Sequence, residues 1–131
     1  MPRKEYQKTH ILLADDDRQI CRLFMSLCEE AFRDDTIHFT TVHDGRPALS
    51  KMRESRPDLV VIGNQMPKLD GVEVVRTMAQ EEGLNSIPTL LTSGAGIAED
   101  LTDLGMNLKF LLQPMGIKVF EAAVQELRSR S

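Results

Sequence analysis

Five short apolar runs alternate along this chain with segments whose apolar residues recur at helical spacing, and few folds accept that rhythm. The runs are Ile11 to Ala14, Ile37 to Val42, Leu59 to Ile62, Thr89 to Thr92 and Phe110 to Leu112, and each reads as a strand. Runs 11–14, 59–62 and 110–112 are apolar throughout instead of alternating, as suits strands covered by helices on both faces of a parallel sheet. Between the first two runs, Ile20, Leu23, Phe24, Leu27 and Ala31 recur at i, i+3, i+4, i+7 and i+11, a helical stripe packed on the sheet. Ala48, Leu49 and Met52 mark a second helix, and Val72, Val75, Met78 and Ala79 a third. Leu101 with Leu104 marks a fourth, and Val119, Phe120, Ala123, Val124 and Leu127 a fifth. Five βα units with right-handed crossovers make a doubly wound α/β sheet, whose ligands bind at the carboxyl ends of the strands.

Those strand ends carry a particular set of residues. Asp15, Asp16 and Asp17 follow the first strand, Gly63 the third, Ser93 the fourth, and Gln113 precedes Pro114 after the fifth, so one crevice can collect them all. Adjacent aspartates are costly to hold together: unit charges ~4 Å apart repel by about 1 kcal/mol in water and ~4 kcal/mol at an effective dielectric of about 20. Asp17 is placed to cap the helix that follows it. Asp15 and Asp16 remain as candidate ligands for a hard cation such as Mg²⁺, which takes a few carboxylate oxygens and keeps several waters.

Composition excludes several classes. A chain of 131 residues suits one domain that needs no metal or disulfide to build its core. Cys21 and Cys28 lie about two helical turns apart, too far to bridge, and read as reduced core thiols. A formal net charge of −4 offers no general attraction for nucleic-acid phosphates. No apolar run reaches the ~18 residues of a membrane span, and no signal-peptide core follows MPRKEYQKTH, so a cytoplasmic location is expected. His10, His38 and His43 lack metal-ligand spacing and read as edge or packing residues. Gly94 and Gly96 free the loop after the fourth strand, and Glu99, Asp100 and Asp103 read as a solvated helix face.

Taken together, five segments resemble the receiver domain of two-component response regulators: ILLADDDRQI, HDGRPAL, PDLVVIGNQMPKLDGVEVVR, IPTLLTSG and FLLQPMG. The likeness covers about residues 9 to 128, leaving 1–8 as a flexible N-terminal tail and 129–131 as a C-terminal tail. It implies a flavodoxin-like (βα)5 sheet with strand order 2-1-3-4-5. It places Asp15 and Asp16 where the family holds Mg²⁺, Ser93 where a hydroxyl meets the phosphoryl group, and Phe110 on the family's switch aromatic. Pro114 matches a usual cis-proline, which makes Gln113–Pro114 a candidate cis bond. The partners implied are a histidine kinase, an output domain or another regulator, docked on the face of the fourth and fifth helices and the fifth strand, with Lys109 and Phe110. That leaves a homodimer open, and implies no direct nucleic-acid contact and no membrane.

Two positions depart from the family pattern. The phosphoacceptor Asp stands four residues before the Met-Pro proline, and counting back from Pro67 lands on Gly63. The usual Lys falls on Gln113, which donates hydrogen bonds without positive charge. Losing one member of that pair would strand a buried charge at roughly 3 to 5 kcal/mol; losing both leaves the local formal charge unchanged. Asn64 points away, Asp58 lies at the other end of the strand, and Asp70 reads as part of the loop that opens the third helix. The expected function is therefore a pseudo-receiver, not an enzyme, that signals by protein contacts, requires no cofactor, and binds Mg²⁺ weakly at Asp15 and Asp16. Two alternatives stand beside it: an active receiver phosphorylated on Asp15 or Asp16, and a haloacid-dehalogenase-like phosphatase using Asp15 and Asp17.

Overall fold

The computed structural model describes residues 8–97 and 99–130. In chain order the elements are β1 (Lys8–Ala14), α1 (Arg18–Ala31), β2 (Thr36–Val42), α2 (Gly45–Ser55), β3 (Leu59–Gly63), α3 (Gly71–Ala79), β4 (Thr89–Ser93), a 3-10 turn (Thr102–Leu104), β5 (Leu108–Leu112) and α4 (Ile117–Ser129). The five strands form one sheet of order β2-β1-β3-β4-β5, and every neighbouring pair is parallel. Residues 1–7, nearly all of the expected N-terminal tail, lie outside the described residues; Lys8 already pairs in β1, and Ser129 belongs to α4 and not to a tail.

Alternation along β1 sorts the core into two layers. Leu12 and Ala14 face Ala48, Met52, Val75 and Met78 of α2 and α3, whereas Ile11 and Leu13 face Phe24 and Cys28 of α1 and Phe120 and Val124 of α4. β3 and β4 are buried along their whole length, as strands covered on both faces must be. Phe24 and Phe120 stack at 6.3 Å between centroids and tie α1 to α4.

Three expectations need correction. The helix expected around Leu101 and Leu104 is a single 3-10 turn, so the sheet carries four α-helices among the described residues. Two leucines three residues apart fill only one turn, and Asp100 Oδ1 accepts hydrogen bonds from the Thr102 N–H and hydroxyl at 3.0 and 2.6 Å, which favours a turn over continued helix. Gly105, with φ of 70°, then ends the segment. As a consequence, β5 is not covered on both faces: Leu108 to Leu111 are only half-buried, and Leu112 is 55% exposed. Finally, Leu23 and Val119 lie outside the buried stripes to which their spacing assigned them; in α1 the buried positions are Cys21, Phe24, Leu27 and Cys28.

Candidate functional site

All strands are parallel, so their carboxyl ends gather on one edge of the sheet. There Asp15, Asp16, Asp17, Gly63, Ser93 and Gln113 line one depression of about 170 Å³. Phe110 is not among them; it lines a separate depression of about 460 Å³ with Ile97, Leu101 and Met106.

Asp15 is the most constrained of the set. Its N–H donates to the Val42 carbonyl at 3.1 Å, continuing the β1–β2 ladder one residue past the strand. Its carbonyl accepts from His43 Nδ1 at 2.9 Å and from Cys21 Sγ at 3.6 Å, so that imidazole carries its proton on Nδ1. Its Oδ1 accepts from the Asp17 N–H at 2.9 Å, and the residue is 6% exposed. Asp17 in turn caps α1, its Oδ1 accepting from the N–H groups of Gln19 and Ile20 at 2.8 and 3.4 Å. Asp16 stands exposed beside them.

Gly63 ends β3. In the β1–β3 register Ala14 pairs with Ile62, and one step further sets Asp15 beside Gly63. A Cβ at position 63 would lie 2.2 Å from Asp15 Oδ2. The carboxylate of Asp15 thus occupies the space that a side chain on residue 63 would need. The glycine is held by its surroundings: the Asn64 N–H donates to the Thr92 carbonyl at 2.8 Å, the Gly71 N–H to the Asn64 carbonyl at 2.9 Å, and the Val72 N–H to Asn64 Oδ1 at 2.9 Å. Position 71 must itself be glycine for this clamp to close, since a Cβ there would sit 2.6 Å from the Gly63 carbonyl oxygen. Asp70 completes the clamp by capping α3 in a reciprocal box with Glu73.

Ser93 and Gln113 close the far side. The Gln113 N–H donates to the Ser93 carbonyl at 2.7 Å, Gln113 Nε2 donates to Thr92 Oγ1 at 2.9 Å, and Ser93 Oγ accepts from the Ala95 N–H at 3.2 Å. The Gln113–Pro114 peptide is cis. Sequence reasoning did not single out Thr92, which lines the cleft, and it read His43 and Cys21 as packing residues, whereas the fold sets both against the Asp15 carbonyl.

The charged side chains lining this depression are all acidic. Burial raises the Asp15 carboxyl from 3.8 to about 6, the Asp17 N–H pulling the other way and the adjacent Asp16 adding to the rise. Burial, with the charge of Asp15, pushes the Cys21 thiol up to about 11, and burial pushes Cys28 up to about 12, so neither is a nucleophile at neutral pH. Among the described residues no group of three or more His, Cys, Asp or Glu is arranged to hold a metal ion. Two carboxylates, one exposed and one with an oxygen already engaged, suit at most a magnesium ion that keeps most of its water.

The remaining candidates lie elsewhere. His10 and His38 contact each other at 5.0 Å across β1 and β2, near Asp58, whose Oδ2 accepts from the His10 N–H at the amino end of the sheet. Lys109 reaches Glu126 of α4 at 2.5 Å, and Arg130 pairs with the same carboxylate.

The model of the response regulator receiver domain matches residues 11–125. The chain belongs to that family. This receiver is 30% identical over 124 residues to the alkaline phosphatase synthesis transcriptional regulatory protein PhoP of Bacillus subtilis, covering 92% of the chain and 49% of the relative. It is 30% identical over 128 residues to the probable transcriptional regulator ycf27 of Cyanophora paradoxa, covering 97% and 51%. It therefore spans about half the length of these curated relatives. Its fold matches the receiver domain of a signal transduction histidine kinase from Syntrophus aciditrophicus with a TM-score of 0.77 at 24% identity, covering 93% of this chain and 91% of that one. It also matches the receiver of the sensor histidine kinase PA1611 of Pseudomonas aeruginosa, described with magnesium in its active-site cleft, with a TM-score of 0.75 at 19% identity, covering 92% and 98%. The receiver is a two-component signalling domain, and among its described residues no helix is long and apolar enough to cross a membrane.

Proposed function

We propose that this receiver is a pseudo-receiver: it takes part in two-component signalling through protein contacts and does not use a phosphoaspartate at the end of β3. The observation that carries the reading is the pair Gly63 and Asp15. Position 63 offers no carboxylate, and its side-chain space is filled by Asp15 Oδ2. Covalent carboxylate catalysis needs the nucleophile at the point of attack, and a phosphoryl donor is itself anionic. Three aspartates with Gln113 in place of a cation repel such a donor instead of neutralising it.

The domain comprises residues 8–129, one residue more at each end than the sequence suggested, and works in the cytoplasm as a binding module, not an enzyme. Its partner is a histidine kinase, an output domain or another regulator, docked where β5, α4 and the 3-10 connection meet, with Lys109 and Phe110 on that face. Direct nucleic-acid or membrane contact by the domain is not part of this reading. Any Mg²⁺ is bound weakly by Asp15 and Asp16. The phosphatase alternative is disfavoured because Asp17, which it needs as acid or base, is engaged through Oδ1 as the cap of α1.

One observation favours a second reading: the Asp15 carboxylate sits within the space of the missing side chain and has the site's shielded position. In that reading Asp15 is itself the phosphoacceptor. Incubation with acetyl phosphate and magnesium chloride, followed by intact mass measurement, separates the two. The pseudo-receiver gains no phosphoryl mass. A hydroxylamine-sensitive adduct that disappears in Asp15→Asn would replace the first reading with the second.

A further inference from the structure

His10 and His38 are far apart in the chain and side by side in the sheet. The β1–β2 register pairs them directly, so both side chains leave the same face at the amino end of the sheet, and their ring centroids lie 5.0 Å apart with the planes tilted by 37°. The row continues into the start of β3. Ile11 pairs with Leu59, and one step back sets Asp58 beside His10: the Asp58 N–H donates to the His10 carbonyl at 2.7 Å, and Asp58 Oδ2 accepts from the His10 N–H at 2.8 Å. Two imidazoles and a carboxylate thus stand in register on three neighbouring strands, at the opposite end of the sheet from the acidic cleft.

The separation of the rings is that of two ligands on one ion. A zinc–nitrogen bond of about 2.0–2.1 Å, with roughly 1.2 Å more from nitrogen to ring centre, sets two imidazoles on a tetrahedral ion about 5 Å apart, centre to centre. Thr40 supplies the support that a ligating imidazole needs: His10 Nε2 is hydrogen-bonded to Thr40 Oγ1 at 2.8 Å, and an Nε2–H donated to that oxygen leaves the lone pair on Nδ1. Burial first, and then the neighbouring His38, hold the His10 imidazole below its usual range, with Asp58 pulling the other way, so at neutral pH it ligates without having to shed a proton. His38 is exposed, which gives an ion its way in from solvent. Asp58 is engaged through Oδ2 on the His10 backbone and adds negative charge beside the pair, so the protein offers two ligands and not the cluster of three that is absent among the described residues.

We propose that His10 and His38 form a binding site for one transition-metal ion of the zinc or copper(II) class, with water completing its coordination shell. Imidazole suits such ions, whereas magnesium takes oxygen ligands, so this site differs in chemistry as well as in place from Asp15 and Asp16. A bound ion ties β1 to the edge strand β2 and favours the folded chain over the unfolded one, in which nothing holds the two histidines together. Half the ligand set of a structural zinc site corresponds to a Kd on the order of 10 µM. No residue of the acidic cleft takes part, so the inference stands whether or not the pseudo-receiver reading does.

The test is calorimetric titration of the untagged 131-residue chain with zinc chloride, and separately with copper(II) chloride, at neutral pH and in excess magnesium chloride to occupy oxygen sites. One zinc ion binds per chain, copper(II) binds more tightly in keeping with the general order of divalent-ion affinities, and the Tm rises with zinc concentration. His38→Gln, at an exposed position, weakens zinc binding roughly tenfold or more, since losing one of two ligands must exceed the loss of a supporting contact, and it removes the rise in Tm. In a ¹⁵N spectrum of the imidazoles of the unsubstituted chain, the ring signals of His10 and His38 shift together on adding zinc, while those of His43 stay in place. No binding at millimolar zinc, an affinity unchanged in His38→Gln, loss of zinc binding to the magnesium, or shifts at His43 with none at His10 would each overturn the proposal.

Discussion

Replacing Asp15 by asparagine should stabilise the domain at neutral pH, against the usual expectation for a buried polar residue at a functional cleft. Burial raises the Asp15 carboxyl from 3.8 to about 6, so the folded state holds its proton more tightly than the unfolded state does. Between those values the native chain binds more protons than the unfolded one, and stability falls as pH rises. The contribution is therefore whole below about pH 4 and lost above about pH 6, where the ionised carboxylate costs on the order of 1 to 3 kcal/mol, the lower figure allowing for solvent screening in the open cleft. Asparagine keeps the shape of the side chain and an Oδ1 to accept the Asp17 N–H, and it adds no charge to be desolvated. Urea unfolding of both proteins, followed by circular dichroism, measures the difference. At pH 4 the two should be nearly equal. At pH 7.5 the variant's midpoint should lie higher by on the order of 1 M, given slopes of about 1 to 3 kcal/mol/M. The opposing acid lability of Glu81 and Glu126, whose carboxyls are held low by Arg53 and Lys109, is common to both proteins and cancels. A variant that is less stable at pH 7.5, or a difference that does not change with pH, would refute the claim that burial makes ionisation of the Asp15 carboxyl beside Gly63 costly.

Three further outcomes follow from the same structure. Gly63→Asp combined with Gln113→Lys should give donor-dependent phosphoryl labelling by intact mass, and Gly63→Asp alone should label poorly, because Asp15 must first swing out of the space a Cβ would enter at 2.2 Å and no cation balances the added charge. Calorimetric titration with magnesium chloride should show binding no tighter than the millimolar range, since two carboxylates alone leave the ion mostly hydrated; micromolar affinity would contradict the loose site. Phe24→Ala, which removes a ring that is 2% exposed and stacked on Phe120, should cost about 3 to 5 kcal/mol in urea unfolding; a cost below about 1 kcal/mol would mean that the α1–α4 layer is not packed as described.

The alternation of apolar runs with helical spacing was enough to read the layers, the parallel strands and the gathering of Asp15, Asp16, Gly63, Ser93 and Gln113 at one edge, because these follow from local periodicity and from the handedness of βα crossovers. The same local logic failed at Leu101 and Leu104, where one turn of apolar spacing cannot outweigh an Asp100–Thr102 turn, and at Leu23, where the helix phase is set by what α4 covers. Sequence alone established that residue 63 has no side chain. That Asp15 fills the vacated space was decided by tertiary structure, because it depends on the β1–β3 register and on an Asp17 N–H that holds one carboxylate oxygen and leaves the other turned toward the glycine.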